Sequence, residues 1–302
     1  MSVFSLLAIP TQLGLAALAG AIAPRAVAWI PVGLVLLLPW LIPPSQLTHR
    51  AFAGLTSVAL LMRATDLLRE RPPRTLAVRI VHALSIVDLR LLVRVPPRID
   101  LALAFGGTWR MLLGIAGLWL ANTFPPAAQV GGLAGRWAVG AAAFYAAFEG
   151  FDQTIRAVYL VCGAQAEPTQ RSPIMSRTLA EFWGRRWNAI VHRWLASVAF
   201  APVARRNPAL GTFFAFVLSA AIHAMITGPA LGGRATMWMA GFFILHGALV
   251  LVERKLRVSR WHRPWARVWT LGWLILTAPL FLEPFLGLFG GATLLDAPPA
   301  GA

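Results

Sequence analysis

The chain predicts an all-α, polytopic transmembrane helical bundle, and three observations carry that prediction. Apolar residues make up 58% of the 302, and charged ones only 13%. The mean hydropathy is +0.68. The apolar residues also gather into long runs separated by short basic loops. A soluble domain is about 45–50% apolar, so lipid rather than water is the solvent this composition fits.

A helix that crosses a bilayer needs ~20 largely apolar residues. Runs of that kind fall at roughly 4–23, 27–43, 108–125, 208–228, 236–252 and 267–290. The run at 51–64 is shorter and extends or lies obliquely. The segment 137–163 is long enough to span but carries charge. About eight spans plus interfacial helices are expected, in a single integral membrane domain over residues 1–302. The first apolar run lacks a basic leader and is followed at once by a second, so a cleaved signal peptide is not expected.

The formal net charge is +16. In a soluble protein that would suggest nucleic acid. Here the basic residues cluster between apolar runs, so no nucleic acid is expected and the partner is the lipid bilayer. The loop from Glu253 to Arg267, the 63–79 region and Arg205-Arg206 are basic, whereas the tail LLDAPPAGA is not. Basic loops stay cytoplasmic, which puts the C-terminus on the other side. The localisation expected is a multi-pass membrane protein, in the cytoplasmic membrane of a bacterium or the endoplasmic reticulum of a eukaryote. The segment 74–95, between Pro72-Pro73 and Pro96-Pro97, would place Arg79, His82, Arg90 and Arg94 on one side of a helix. That reads as an interfacial helix with a basic stripe or as an irregular span.

Ionisable residues inside spans are costly and each needs a reason. In EFWGRRWN and the residues after it, a continuous helix would gather Trp183, Trp187, Ile190 and Trp194 on one face and Glu181, Arg185, Asn188 and His192 on the other. Such a stripe faces a wet chamber or an anionic ligand, or belongs to an interfacial helix with snorkelling arginines. In NPALGTFFAFVLSAAIHAMITG, Thr212, Ser219, His223 and Thr227 share a helical face, and no charged residue occurs between Arg206 and Arg234. His223 is then the group that exchanges a proton near neutral pH, or a structural histidine bonded to a neighbouring helix. In EGFDQTIR, Asp152 and Arg156 stand at i, i+4 and read as a structural ion pair. His246 reads as an interhelical hydrogen bond.

Several chemistries lack their residues. HExxH, GxSxG and P-loop patterns are missing. The 11 carboxylates are mostly scattered. Asp66 and Glu70 have the spacing of a diphosphate-binding pair but fall in an arginine-rich stretch read as a loop. No metal and no cofactor is expected. The single cysteine, Cys162, makes no internal disulfide.

Ser176–Asn188, SRTLAEFWGRRWN, is followed by a basic Asn-Pro step and then by FVLSAAIHAM, Phe216–Met225. This order resembles the wax synthase-like branch of the membrane-bound O-acyltransferase (MBOAT) superfamily. Thr178-Leu179 stands where Ser-Leu is usual, and Ala224 where many relatives carry an acidic residue. The motif-bearing core is 173–228. The resemblance implies an MBOAT-like fold and transfer of an acyl group from acyl-CoA, or a related thioester, to a hydroxyl-bearing acceptor such as a fatty alcohol. It makes His223 the intramembrane base and Asn188 its partner. Arg185 and Arg186 would hold the donor's phosphates, with Trp183, Trp187 and Ser219 completing the substrate-binding set. Acyl-CoA would be a co-substrate rather than a cofactor. The rival classes are a multi-span transporter, which should show repeated halves, and a non-catalytic structural membrane protein. If the span starts near Asn207, His223 lies ~24 Å along it at 1.5 Å per residue, so a cytoplasmic donor would need a tunnel.

Overall fold

The computed structural model describes residues 3–23, 26–69, 75–124, 130–291 and 294. The apolar tail LLDAPPAGA, apart from Leu294, lies outside the described residues, as do residues 70–74 of the expected basic region. The described chain is almost all helix. In order, it forms α1 (Val3–Ile22), α2 (Trp29–Leu41), α3 (Leu47–Arg69), α4 (Leu76–Leu84), β1 (Val93–Arg94), α5 (Leu101–Thr123), α6 (Val130–Val161) and β2 (Ala164–Gln165). Then come the single turn α7 (Leu179–Glu181), α8 (Ala189–Leu195), α9 (Ala201–Ala204), α10 (Pro208–Lys255) and α11 (Arg263–Gly287). β1 and β2 make one short antiparallel pair, Val93 opposite Gln165.

Among the described residues, four helices (α3, α5, α10 and α11) are long and apolar enough to cross a membrane, alongside shorter apolar helices at Leu7–Ile22, Ala26–Leu41 and Ala189–Ala204. The run expected at 51–64 extends to the full α3, so Asp66 stands on a helix and not in a loop. The two runs expected at 208–228 and 236–252 are two helices that meet within α10, and Arg254 near its end reaches Thr212 near its start at 3.0 Å. The break falls at Gly232, whose φ of 77° and ψ of −172° suit a residue without Cβ.

The chain divides into two compact units, residues 1–91 with 222–236, and residues 92–221 with 237–302. In the first unit, α1, α2 and α3 are tied by a buried amide. Gln12 donates to the Ala53 carbonyl at 2.9 Å and to Ser57 Oγ at 2.8 Å, and Ser57 donates to the Val35 carbonyl at 2.8 Å. Small residues allow close approach there. A Cβ on Gly54 would lie 2.9 Å from the Ile226 backbone, and one on Gly20 2.9 Å from Ala83.

The expected basic stripe over 74–95 does not form. α4 ends at Leu84 with Ser85 extended, so Arg90 and Arg94 are not on it. His82 is 1% exposed, while Leu76, Val78, Val81 and Leu84 face outwards. With lipid outside, the apolar face is the outer one and the polar groups turn in. Arg79 donates to the Ala21 carbonyl at 3.0 Å. Asp66 pairs with Arg63 at 3.2 Å and with Arg90 at 2.9 Å, and Asp88 with Arg90 at 2.6 Å. Asp66, His82 and Asp88 each bring one ligating atom within 4.8 Å of the others. The two guanidinium groups already balance both carboxylates, which favours an ion-pair network over a divalent cation.

In the second unit, α5 and α6 pack along their length through small residues. A Cβ on Gly114 would collide with Ala147, and one on Gly150 with the Met111 backbone. On the opposite side of α5, Leu101, Phe105, Leu112, Ile115 and Trp119 are exposed, as a lipid-facing stripe requires. On α6, Arg156 pairs with Asp152 at 3.6 Å, the structural ion pair the i, i+4 spacing indicated. Arg136 and Glu283, both 0% exposed, pair at 3.3 Å, and Trp137 Nε1 donates to Glu283 at 2.7 Å. A charge pair that deep is stable only with its partner present.

Candidate active site

The stretch Leu179–Leu195 is not one helix. α7 is a single turn, opened by Thr178, whose hydroxyl accepts the Glu181 N–H at 2.9 Å. Thr178-Leu-Ala-Glu181 carries the spacing of a capping box, a start signal readable in the sequence. The Glu181 carboxylate accepts the Arg177 N–H at 2.9 Å and the Arg186 Nε–H at 2.6 Å. Leu179 and Ala180 N–H, orphan donors of this turn, both point at the buried carboxylate of Glu253, at 2.7 Å each.

Phe182–Arg186 then form a π-helical turn, closed by the Trp187 N–H on the Phe182 carbonyl at 2.8 Å. Turns of this kind interrupt helices and often lie at functional sites. Trp187 is extended, and Asn188 is left-handed, with φ of 43° and ψ of 66°. Asparagine tolerates that region better than most side chains. The chain restarts as α8, with Asn188 Oδ1 accepting the Val191 N–H at 3.2 Å. The segment 169–171 runs beside this break. The Ala189 N–H donates to the Thr169 carbonyl and the Arg171 N–H to the Arg186 carbonyl, both at 2.9 Å.

The two faces expected from a continuous helical projection are therefore replaced by a different sorting. Trp187 stacks on Phe182 with centroids 5.6 Å apart and on Phe148 at 5.4 Å. Trp183 packs on Phe216, Phe242 and Phe243. Arg186 is committed to Glu181 and to the Arg171 carbonyl. Arg185 is exposed and, among the described residues, has no partner. Asn188 uses its oxygen as a helix cap, so its amide N–H groups point away from that cap and have no partner among the described residues.

Burial pushes the Glu181 carboxyl up, but the Arg177 N–H and the Arg186 guanidinium outweigh it, and the group lies below the ordinary glutamate value. Glu167, which is exposed, is held low by Arg193 and then by Arg171.

The structure brings Trp183, Arg185, Arg186, Trp187 and Asn188 into one turn of the second unit, where Ser219 lies buried on α10. His223 is half-buried on α10 among the residues 222–236 of the first unit. Its carbonyl lies 3.1 Å from the Thr227 hydroxyl. Thr212, one turn into α10, accepts from Arg254 at 3.0 Å. His246 is buried and interhelically bonded, as expected. Trp183 Nε1 donates to its Nδ1 at 3.0 Å, and its Nε2 lies 2.8 Å from Thr277 Oγ1. Glu253 and the π-turn were not anticipated. A glutamate before a basic run gives no sign of a partner 74 residues away.

The helices place the chain in the class of integral membrane proteins. Residues 166–245 match the membrane bound O-acyl transferase family. Similar curated proteins include a probable long-chain-alcohol O-fatty-acyltransferase 3 of Arabidopsis thaliana, 29% identical over 43% of this chain and 42% of the relative. The acyl-CoA–sterol O-acyltransferase 1 of the same plant is 32% identical over 44% of this chain and 42% of its own length. The long-chain-alcohol O-fatty-acyltransferase of Simmondsia chinensis is 28% identical over 41% of this chain and 39% of its own. Over its matching part the chain is similar to this family and to its long-chain-alcohol acyltransferases. It spans about two fifths of the length of these relatives.

Proposed function

We propose that this protein transfers a fatty acyl group from a thioester, acyl-CoA in the simplest case, to the hydroxyl of a lipid alcohol. The observation that carries the reading is the likeness of residues 166–245 to the acyltransferase family, a stretch that contains the turn ending at Asn188. The relatives named for long-chain alcohols and for a sterol support a lipid alcohol as the acceptor.

An alcohol is a weak nucleophile. In this reading neutral His223 takes its proton as the oxygen attacks the thioester carbonyl, help worth ~10²–10⁴-fold. The tetrahedral intermediate collapses with loss of the thiolate, which takes the proton back from His223, leaving ester and free thiol. The Asn188 amide N–H donates to the developing oxyanion, a contribution of about 2.7–4 kcal/mol. Its cap to Val191 supports this role by fixing which end of the amide is free to donate. Arg185 meets the phosphates of the donor, since Arg186 is already held by Glu181. Trp183 and Trp187 brace the turn.

The test is to incubate the purified protein in lipid nanodiscs with radiolabelled acyl-CoA and separate fatty-alcohol and sterol acceptors. Labelled ester from at least one acceptor is expected. Absence of ester with every lipid alcohol, under conditions where a known relative is active, would contradict the reading.

A further inference from the structure

The geometry points to His246 as a positioning residue for acyl transfer, one that holds Trp183 and through it the turn ending at Asn188. This rests on the function proposed above. His246 is 0% exposed and falls just beyond the stretch that matches the family, residues 166–245. Both ring nitrogens are engaged. An indole N–H only donates, so the 3.0 Å contact from Trp183 Nε1 makes Nδ1 the acceptor. The proton of the neutral ring is then on Nε2, where it donates to Thr277 Oγ1 at 2.8 Å. Thr277 donates in turn to the Trp273 carbonyl at 2.7 Å. One directed chain of hydrogen bonds therefore runs from the π-turn, through α10, into α11.

This chain fixes the tautomer and seals the ring. His246 also lies against Phe242, with centroids 4.4 Å apart. No lone pair is left for a substrate proton, so His246 does not act as the base. Its work is on Trp183, which is otherwise enclosed by Phe216, Phe242 and Phe243 and meets Phe182 edge-on at 4.9 Å. Aromatic contacts alone leave the indole free to slide in its plane. The hydrogen bond to Nδ1 sets its angle, and the covalent continuity from Trp183 to Asn188 carries that setting along the turn. A small misplacement of a catalytic group can cost ~10²-fold in rate.

The experiment uses the full chain in nanodiscs with three variants. His246→Asn puts an amide oxygen where Nδ1 stands and keeps the acceptor. His246→Leu removes it. Trp183→Phe removes the donor and assigns the Trp183 signal in the ¹⁵N indole spectrum. In His246→Leu, the Trp183 indole proton should move upfield and kcat for transfer from palmitoyl-CoA to hexadecanol should fall ~10²-fold. KM for the thioester and the shape of the pH–rate profile should stay as in wild type. His246→Asn should recover most of both signals, and Trp183→Phe should match the kinetics of His246→Leu. Wild-type kcat in His246→Leu, an unmoved indole resonance, or loss of the basic limb of the pH profile in His246→Asn would each overturn the inference. A wild-type protein that makes no ester overturns the proposed function itself, while the resonance still reports the bond independently of activity.

Discussion

The carboxylate of Glu253, near the C-terminal end of α10, caps the turn that opens the motif, taking the Leu179 N–H on one oxygen and the Ala180 N–H on the other. Hydrogen bonds to a charged acceptor are about twice as strong as neutral ones, and a buried N–H left without an acceptor costs ~1–3 kcal/mol. Glu253→Leu should therefore lower the unfolding temperature in detergent clearly, and Glu253→Gln, which keeps one acceptor, by less. Equal melting of Glu253→Leu and wild type would show that the cap contributes nothing.

Asn188 holds two separable functions, a backbone shape and an amide. Asn188→Asp keeps the cap oxygen and tolerates the left-handed backbone but removes the N–H donors. It should melt near wild type and transfer ~10²–10³-fold more slowly. Asn188→Ala should also lose about 1 kcal/mol of capping and the local side-chain hydrogen bonding that makes the left-handed region tolerable to asparagine. Full activity in Asn188→Asp would remove the amide from the chemistry.

Arg185 and Arg186 share a sequence signature but not a surrounding. Arg186 is built into the turn through Glu181, whereas Arg185 is exposed. Arg185→Gln should raise KM for acyl-CoA and leave KM for an acyl-pantetheine, which lacks the nucleotide phosphates, unchanged. Arg186→Gln should instead lower the melting temperature. The opposite pattern, read from steady-state kinetics and thermal melts, would reverse the assignment.

Glu181 lies below its ordinary value of 4.5 in the folded protein. A depressed carboxyl contributes stability above its unfolded value, and that contribution is lost as pH falls through the folded one. Melting temperature should drop on acidification below about 4.5, and Glu181→Gln should flatten that part of the curve while lying below wild type at neutral pH. An unchanged slope in the variant would assign the acid loss to other carboxylates.

Much of the framework was legible in the sequence because length and hydropathy determine helices in lipid. Apolar runs at 4–23, 108–125 and 267–290 correspond to α1, α5 and α11. What failed was projection at a fixed angle per residue. It assumes an unbroken helix, and Asn188 breaks one by turning left-handed while the residues before it close a π-turn. The stripe over 74–95 failed for a related reason. Its chain leaves the helix at Ser85, and Arg90 turns to Asp66, a partner on α3. Long-range pairs such as Glu253 with Leu179 leave no local trace. Asn188 and His223 are legible as candidates because each is a polar residue set in or beside a long apolar run, in an order that resembles the family.

The most direct test is the rate of ester formation from labelled acyl-CoA and a long-chain alcohol by wild type and His223→Ala, each shown to be folded by its melting curve. The proposed mechanism predicts ester from wild type and a loss of ~10²–10⁴-fold in the variant. Equal turnover by the two proteins would contradict it.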